Sequence, residues 1–368
     1  EISVCQIGTS AVLKPNIEDF VCGGITVKGV VFLGDSELDI RELPKPSAGS
    51  GEVVIEMKAS GLCGSDLRPY RTPKTEKASP ELLHVGGHEP CGVIVEIGPN
   101  VMQVKVGDRV MMHHYTGCGA CSMCRIGYTQ MCLHHHEVYG STEDGGHQDY
   151  LLCPESTCIK MPDALTFEQG AACACGSGTA FHALKRLGIS GMDTIAIFGQ
   201  GPVGASGTLF AKSMGARVIA VDVVPERLEL AKKLGADAVV NASDGNSVEA
   251  IRQLTHGEGP DATLDATGIS QVRNDAVDAV KYWGRVCFVG EGNTTKFDVS
   301  PQIIHKQLTI YGSWTFSTGG LAEVADFVVE RNVPLDDLIT QRFQLDQAVE
   351  AYELFTGATT GKVLFTWD

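Results

Sequence analysis

Cys118, Cys121, Cys124 and Cys132 stand in the run C-G-A-C-S-M-C-R-I-G-Y-T-Q-M-C. No other feature of the chain constrains the fold as strongly. Four soft thiolates at this spacing can converge on one tetrahedral metal ion, most naturally zinc. Four sulfur ligands leave no open position, so the predicted site is structural and closed. A metal-pinned lobe within 368 residues makes the remaining Cys and His residues worth testing as a second, catalytic metal site.

The rest of the composition is that of an ordinary globular protein, with 43% hydrophobic and 20% charged residues and length enough for two domains. A formal charge of −16 argues against an extended nucleic-acid or anionic-membrane surface. No apolar run reaches the ~18 residues needed to span a bilayer. The stretch Glu1 to Gly24 lacks the basic start and long apolar core of a secretory leader. The C-x-x-C clustering of the cysteines points to metal binding in a reducing compartment rather than to a disulfide framework. The expectation is a cytoplasmic protein.

Two regimes follow one another along the chain. From Lys28 to Pro162, short β-prone runs such as 52–57 and 91–97 are punctuated by Gly and Pro, predicting a mostly antiparallel barrel or sandwich. After Leu165 a helix is predicted over 166–187. Apolar strands then alternate with helices: strands 194–199, 217–222, 238–240, 262–265 and 285–289, with helices 202–214, 225–234, 247–255 and 271–280 between them. This alternation predicts a doubly wound parallel sheet covered on both faces. Helices near 320–330 and 346–355 precede a closing strand at 362–365 that could return to the first domain.

Gly199-Gln200-Gly201-Pro202-Val203-Gly204 is G-x-G-x-x-G, placed between an apolar strand and a helix. In that context Gly199 permits the tight turn, Gly201 lets the backbone approach a pyrophosphate, and Gly204 allows close helix–strand packing. Pro202 and Val203 open the helix whose N-terminus faces the negative charge. Asp222 ends the next strand, where its carboxylate can bind a ribose 2′-hydroxyl and would repel a 2′-phosphate, favouring NAD. Arg227 lies close enough to stack or pair near the adenosine end.

Gly61-Leu62-Cys63-Gly64-Ser65-Asp66 and Gly86-Gly87-His88-Glu89-Pro90 each carry a suitable zinc ligand, Cys63 and His88. Their spacing does not by itself separate a ligand from a buried core residue. A catalytic zinc needs a third ligand, and Ala172-Cys173-Ala174-Cys175 offers two candidates.

Taken in order, G-L-C-G-S-D, G-G-H-E-P, the four-cysteine lobe and the glycine turn resemble the zinc-dependent medium-chain dehydrogenase/reductase family, the alcohol, sorbitol and threonine dehydrogenase group. The resemblance runs from Lys28 to Asp368. It implies an α/β fold class: a GroES-like β-rich catalytic domain plus a Rossmann doubly wound parallel-sheet domain. The implied divisions are an N-terminal extension 1–27, a catalytic domain with its zinc lobe 28–176, an NAD-binding domain 177–313, and a C-terminal segment 314–368 returning to the catalytic domain. It implies catalytic zinc on Cys63, His88 and Cys175, with Cys173 as a packed small hydrophobe. Glu89 becomes an acidic neighbour of the zinc and Asp66 the partner that orients His88. Ser65 would contact the substrate hydroxyl, and Lys362 would approach the pyrophosphate. His147 falls near the substrate pocket, where it suggests a polar substrate. Arg68 stands where many relatives place a relay histidine.

The activity implied is reversible oxidation of an alcohol with NAD and two zinc ions per subunit, a polyol or other polar secondary alcohol being the candidate substrate. The expected partner is a small alcohol or carbonyl, with no nucleic acid and no membrane, in a homo-dimer or homo-tetramer. A zinc-free quinone or enoyl reductase, or a non-catalytic NAD-binding protein, would share this fold. The histidines at 113–114 and 134–136 are expected to be solvated or locally bonded.

Overall fold

The computed structural model describes residues 26–77 and 83–367. The proposed extension 1–27 therefore lies almost wholly outside the described residues. Its last two positions begin the strand Thr26–Gly34, which pairs antiparallel with Glu37–Pro44.

The larger β sheet of the first half runs Ile339–Phe343, Lys362–Thr366, Glu52–Gly61, Glu89–Ile97, Arg109–Met112 and Cys158–Lys160, with Tyr150–Pro154 also paired to Glu52–Gly61. Every pair is antiparallel except the first, where Ile339–Phe343 runs parallel to Lys362–Thr366. The last strand of the chain thus lies against the strand that leads into Cys63, with Leu364 opposite Gly61. Val53, Ile55, Met57, Ile94, Val110, Met112 and Leu151 fill the core beneath this sheet. A separate apolar cluster, including Phe32, Leu62, Tyr70, Tyr352 and Phe365, fastens the C-terminal helix Ala348–Thr356 to it.

The second sheet is parallel throughout: Ala238–Asn241, Arg217–Asp222, Thr194–Phe198, Ala262–Asp265, Arg285–Phe288, Thr309–Gly312. Numbered along the chain, its strands lie in the order 3-2-1-4-5-6, the doubly wound dinucleotide-binding arrangement with its crevice where the order reverses. Thr309–Gly312, which the sequence pattern did not predict, forms one edge, and its residues are mostly exposed.

The predicted helix over 166–187 is interrupted. Thr166 caps Phe167–Ala172 in a capping box with Gln169, and Gly178–Leu187 closes on Gly188 in a left-handed conformation. Between them, Cys173–Ser177 forms a π-helical turn. Such a bulge shifts the side-chain phase of everything beyond it, and π-bulges occur mostly at functional sites.

Candidate active site and metal centres

Three distant parts of the chain meet at one point. Cys63 follows the strand Glu52–Gly61, His88 and Glu89 open the strand Glu89–Ile97, and Cys175 sits on the π-turn. One ligand atom from each of these four residues lies within 4.8 Å of the others, and all four residues are buried. The sulfurs of Cys63 and Cys175 are 4.0 Å apart. Cys173, two residues away on the same turn, is fully buried in the apolar core, where burial pushes its thiol up to about 12.

Asp66 holds His88. Its Oδ1 is 2.7 Å from His88 Nδ1, and its Oδ2 accepts from the Cys63 backbone N–H at 2.8 Å. A carboxylate only accepts, so Nδ1 carries the proton and Nε2 is left facing the cluster. Ser65 Oγ, at an exposed position, lies 3.1 Å from that Nε2. The proximity of Cys175 and of the His88 ring draws the Cys63 thiol well below its ordinary range despite burial. Burial pulls His88 down, but Asp66 and Cys63 outweigh it and hold the imidazole well above its usual value. Burial lifts the Glu89 carboxyl to about 7 against the opposing pull of Lys362. A buried thiolate, imidazole and carboxylate in one cluster form a mixed N/S/O donor set that suits zinc.

Lys362, expected to approach the pyrophosphate, is buried: Nζ pairs with Glu89 and donates to the Leu62 carbonyl at 3.1 Å. Its side chain does line a narrow gap shared with Gly176, Ser177, Pro202 and Ser206, but its charge is committed to Glu89.

His147 was expected near the substrate pocket. The residue is fully buried, with Nδ1 2.9 Å from Ser60 Oγ and Nε2 3.0 Å from the Tyr352 hydroxyl. Both ring nitrogens are occupied, so none is left for a substrate, and burial pulls the imidazole down to about 4.

His113 and His114, expected to be solvated or locally bonded, are both buried, and His113 Nδ1 lies 3.4 Å from the nearby Tyr115 carbonyl. His113 Nε2 bonds the Phe316 carbonyl at 2.9 Å. His114 packs directly on the catalytic cluster, its ring centroid 4.9 Å from that of His88. The histidines at 134–136 are exposed. Sequence reasoning missed His114, Tyr352 and Ser60. The paired histidines ending an apolar strand were the one available signal.

The second metal cluster is the lobe itself. Cys118, Cys121, Cys124 and Cys132 bring their sulfurs within 4.8 Å of one another. The hairpin Tyr115–Gly117 with His136–Val138 and the short helix Ser122–Arg125 hold them. Backbone N–H groups aim at the sulfurs: Cys118 N–H donates to Cys132 at 3.3 Å, and Cys121 N–H to Cys118 at 3.3 Å. Such bonds to Cys121 and Cys132 lower their thiols to about 7 and about 6 respectively. Dipoles that favour thiolates in a packed group of four fit a zinc ion held entirely by sulfur.

At the second sheet, Gly199 has φ +84°, a left-handed conformation that favours glycine. A Cβ on Gly204 would overlap the Gly199 carbonyl oxygen. Gly201 precedes the helix Pro202–Ser213, with Pro202 in its first turn and Val203 after it. Asp222 is buried at the end of its strand and accepts from the N–H groups of Gln200 (2.5 Å), Val223 (2.7 Å) and Val224 (2.9 Å). Oδ1 takes the Val223 and Val224 bonds, whereas Oδ2 takes only the Gln200 bond and keeps a lone pair for a ribose hydroxyl. Arg227 Nη1 is 3.9 Å from Asp222 Oδ2, which brings the guanidinium over Gly201. The glycine turn, the helix N-terminus and the acid at the next strand's end form a cradle that fits NAD.

Residues 49–163 match the alcohol dehydrogenase GroES-like domain and residues 202–330 the zinc-binding dehydrogenase domain. The zinc-type alcohol dehydrogenase-like protein YphC of Escherichia coli (strain K12) is 40% identical over 350 residues, covering 93% of this chain and 99% of its own length. The chain belongs to the zinc-type medium-chain dehydrogenase/reductase family. Sorbitol dehydrogenase of Bacillus subtilis (strain 168) is 30% identical, covering 89% of this chain and 93% of its own. The short chain alcohol dehydrogenase rspB from Escherichia coli CFT073, solved with NADH, superposes with a TM-score of 0.83 at 27% identity, covering 94% of this chain and all of its own. With two metal clusters and a dinucleotide fold, this chain is a zinc-dependent, NAD-linked oxidoreductase of the family's alcohol/carbonyl type. Among the described residues no helix is long and apolar enough to cross a membrane.

Proposed function

We propose that this protein is a cytoplasmic dehydrogenase that interconverts a polar secondary alcohol, of the polyol type, with its carbonyl. The observation that carries the proposal is the buried cluster of Cys63, His88, Glu89 and Cys175, assembled from three distant segments. Sorbitol dehydrogenase and L-threonine 3-dehydrogenase, each 30% identical, supply the substrate class. The division of labour is a catalytic domain over 28–176, a nucleotide domain over 177–313, and a segment 314–368 that brings Lys362 back to Glu89.

Cys63, His88 and Cys175 would hold the catalytic zinc, and Cys118, Cys121, Cys124 and Cys132 the structural one. Zinc supplies Lewis acidity toward the substrate oxygen, and NAD supplies the hydride acceptor. Asp66 fixes the His88 tautomer and ring plane. Ser65 Oγ, exposed beside His88 Nε2, takes the hydroxyl proton. Arg68 is exposed one turn further on and offers no base, so the proton leaves Ser65 to solvent. Lys362 neutralises Glu89 and keeps its carboxylate beside the ligands without leaving a lone buried charge. Gly199, Gly201, Pro202, Val203 and Gly204 receive the pyrophosphate, Asp222 selects the unphosphorylated ribose, and Arg227 flanks the adenosine end.

A homo-dimer or homo-tetramer is proposed through the edge strand Thr309–Gly312. Its open backbone lies near the exposed Trp283 and carries the partly exposed Ile310.

NADH formation by the zinc-loaded protein across simple alcohols, polyols, sugars and 3-hydroxy amino acids tests the proposal. Turnover concentrated in polyols supports it. Turnover confined to simple primary alcohols would reject the polar-substrate assignment.

A further inference from the structure

Two adjacent glycines, Gly86 and Gly87, lead into His88. The segment that delivers this ligand therefore has no side chains of its own to fix it. Gly87 is left-handed, with φ +85°. A Cβ on Gly87 would fall 2.3 Å from His147 Nδ1, and one on Gly86 would fall 2.4 Å from the Phe32 ring. These two rings occupy the space that the missing side chains leave. His147 also holds the turn through the backbone. Its N–H donates to the Gly86 carbonyl at 2.9 Å, and the Gly146 N–H donates to the Gly87 carbonyl at 2.7 Å.

The His147 ring cannot turn away without breaking two buried bonds. Nδ1 lies 2.9 Å from Ser60 Oγ, and Nε2 lies 3.0 Å from the Tyr352 hydroxyl. A neutral imidazole donates from one nitrogen and accepts on the other, and a hydroxyl can answer either role. Ser60 stands three residues before Cys63 on the strand Glu52–Gly61, opposite Pro90. Tyr352 belongs to the helix Ala348–Thr356 and packs edge-on against Phe32, with ring centroids 5.0 Å apart. One tyrosine thus backs both rings that line the glycine turn. Through these contacts His147 is tied to the approaches of two proposed ligands and to the C-terminal segment.

We propose that His147 is a positioning residue of the catalytic metal centre: clamped by Ser60 and Tyr352, its imidazole fixes the Gly86–Gly87 turn and so places His88 for the metal. The inference rests on the assignment of Cys63, His88 and Cys175 as the catalytic ligands. Asp66 fixes the plane of the His88 ring, whereas His147 fixes the backbone from which that ring projects. A phenylalanine would match the imidazole in shape and form neither bond. The two hydrogen bonds, which stop the ring from rotating, carry the role rather than its bulk.

The test compares the wild type with H147F, Y352F and H147Q, each loaded with cobalt(II) in place of zinc. The catalytic ion's share of the visible absorption is the difference between the wild type and C175A, which lacks a proposed ligand. Metal affinity is read by chelator competition. H147F should shift the catalytic cobalt bands and weaken binding at that site about tenfold or more, the scale for losing an outer support of a ligand. The lobe ion and NADH affinity should hold. Y352F, which loses one hydroxyl, should show the same change at smaller size, and H147Q, which can still hydrogen-bond, should recover part of the loss. If H147F does not fold, Y352F alone decides. Unchanged catalytic bands and affinity overturn the proposal, as does an equal loss of both ions, which marks a purely structural residue. A wild-type spectrum that C175A leaves unaltered refutes the ligand assignment instead, and the positioning role falls with it.

Discussion

Asp66 Oδ1 lies 2.7 Å from His88 Nδ1, and the same carboxylate accepts from the backbone N–H of Cys63 at 2.8 Å. One acid thus sets the tautomer of one proposed ligand and the backbone of another. Asp66→Asn removes the charge and weakens both bonds. Losing such a support typically costs about 10–100-fold in metal affinity. Competition with a chromogenic chelator should show that loss at the catalytic zinc alone. Equal zinc retention in wild type and variant would remove Asp66 from this role.

Asp222 governs the choice of cofactor. Its carboxylate is fixed by three backbone N–H groups at the end of its strand, and it repels a 2′-phosphate. Asp222→Ser should raise the Kd for NADH about tenfold or more, as the loss of a charged hydrogen bond of about 1.5–3 kcal/mol would. NADPH binding should hold or improve. Fluorescence titration of both cofactors checks this, and unchanged selectivity would contradict it.

The lobe should be separable from the chemistry. Cys121→Ser removes one of four sulfurs at a site whose ligands all lie between Cys118 and Cys132. The variant should bind one zinc fewer per subunit, melt at a lower temperature, and keep the catalytic ion. Elemental analysis with a thermal melt reads both. A full zinc complement with an unchanged Tm would argue that the lobe holds no metal.

His147 should contribute to acid sensitivity. Its imidazole is held down to about 4 by burial, against 6.5 when exposed. The unfolded chain takes up this proton first as pH falls. The contribution of the neutral ring is therefore complete above pH 6.5 and is lost on acidification toward pH 4, up to about 3 kcal/mol for this one group. His147→Gln should flatten the pH dependence of urea-unfolding stability across that window. An identical slope in wild type and variant would mean that the ring does not titrate on unfolding.

The parts of this molecule that were legible in its sequence are those where chemistry dictates residue type at short range. The four lobe cysteines lie within one turn-rich run, and Gly199 to Gly204 is a local backbone requirement. The strand–helix alternation after residue 190 also gave the parallel sheet. What escaped depends on distant packing. Lys362 reads as a basic residue before an apolar strand, and only the pairing of Lys362–Thr366 with Glu52–Gly61 carries it to Glu89. The π-turn at Cys173–Ser177 has no pattern of its own, because one extra residue in a helical turn leaves the apolar spacing nearly unchanged. His147 and His114 were equally illegible for one reason. A histidine's type says nothing about its partners, and the structure gives His147 two and leaves His114 Nδ1 with none.

The most direct test is Cys175→Ala, assayed together for zinc content, NADH affinity and alcohol oxidation. The account predicts loss of the catalytic zinc, retention of the lobe zinc, near-normal NADH binding, and turnover lowered at least about a hundredfold, as befits removal of a metal that stabilises developing charge. A variant that keeps both zinc ions and full turnover would show that the cluster of Cys63, His88 and Cys175 is not the reaction centre.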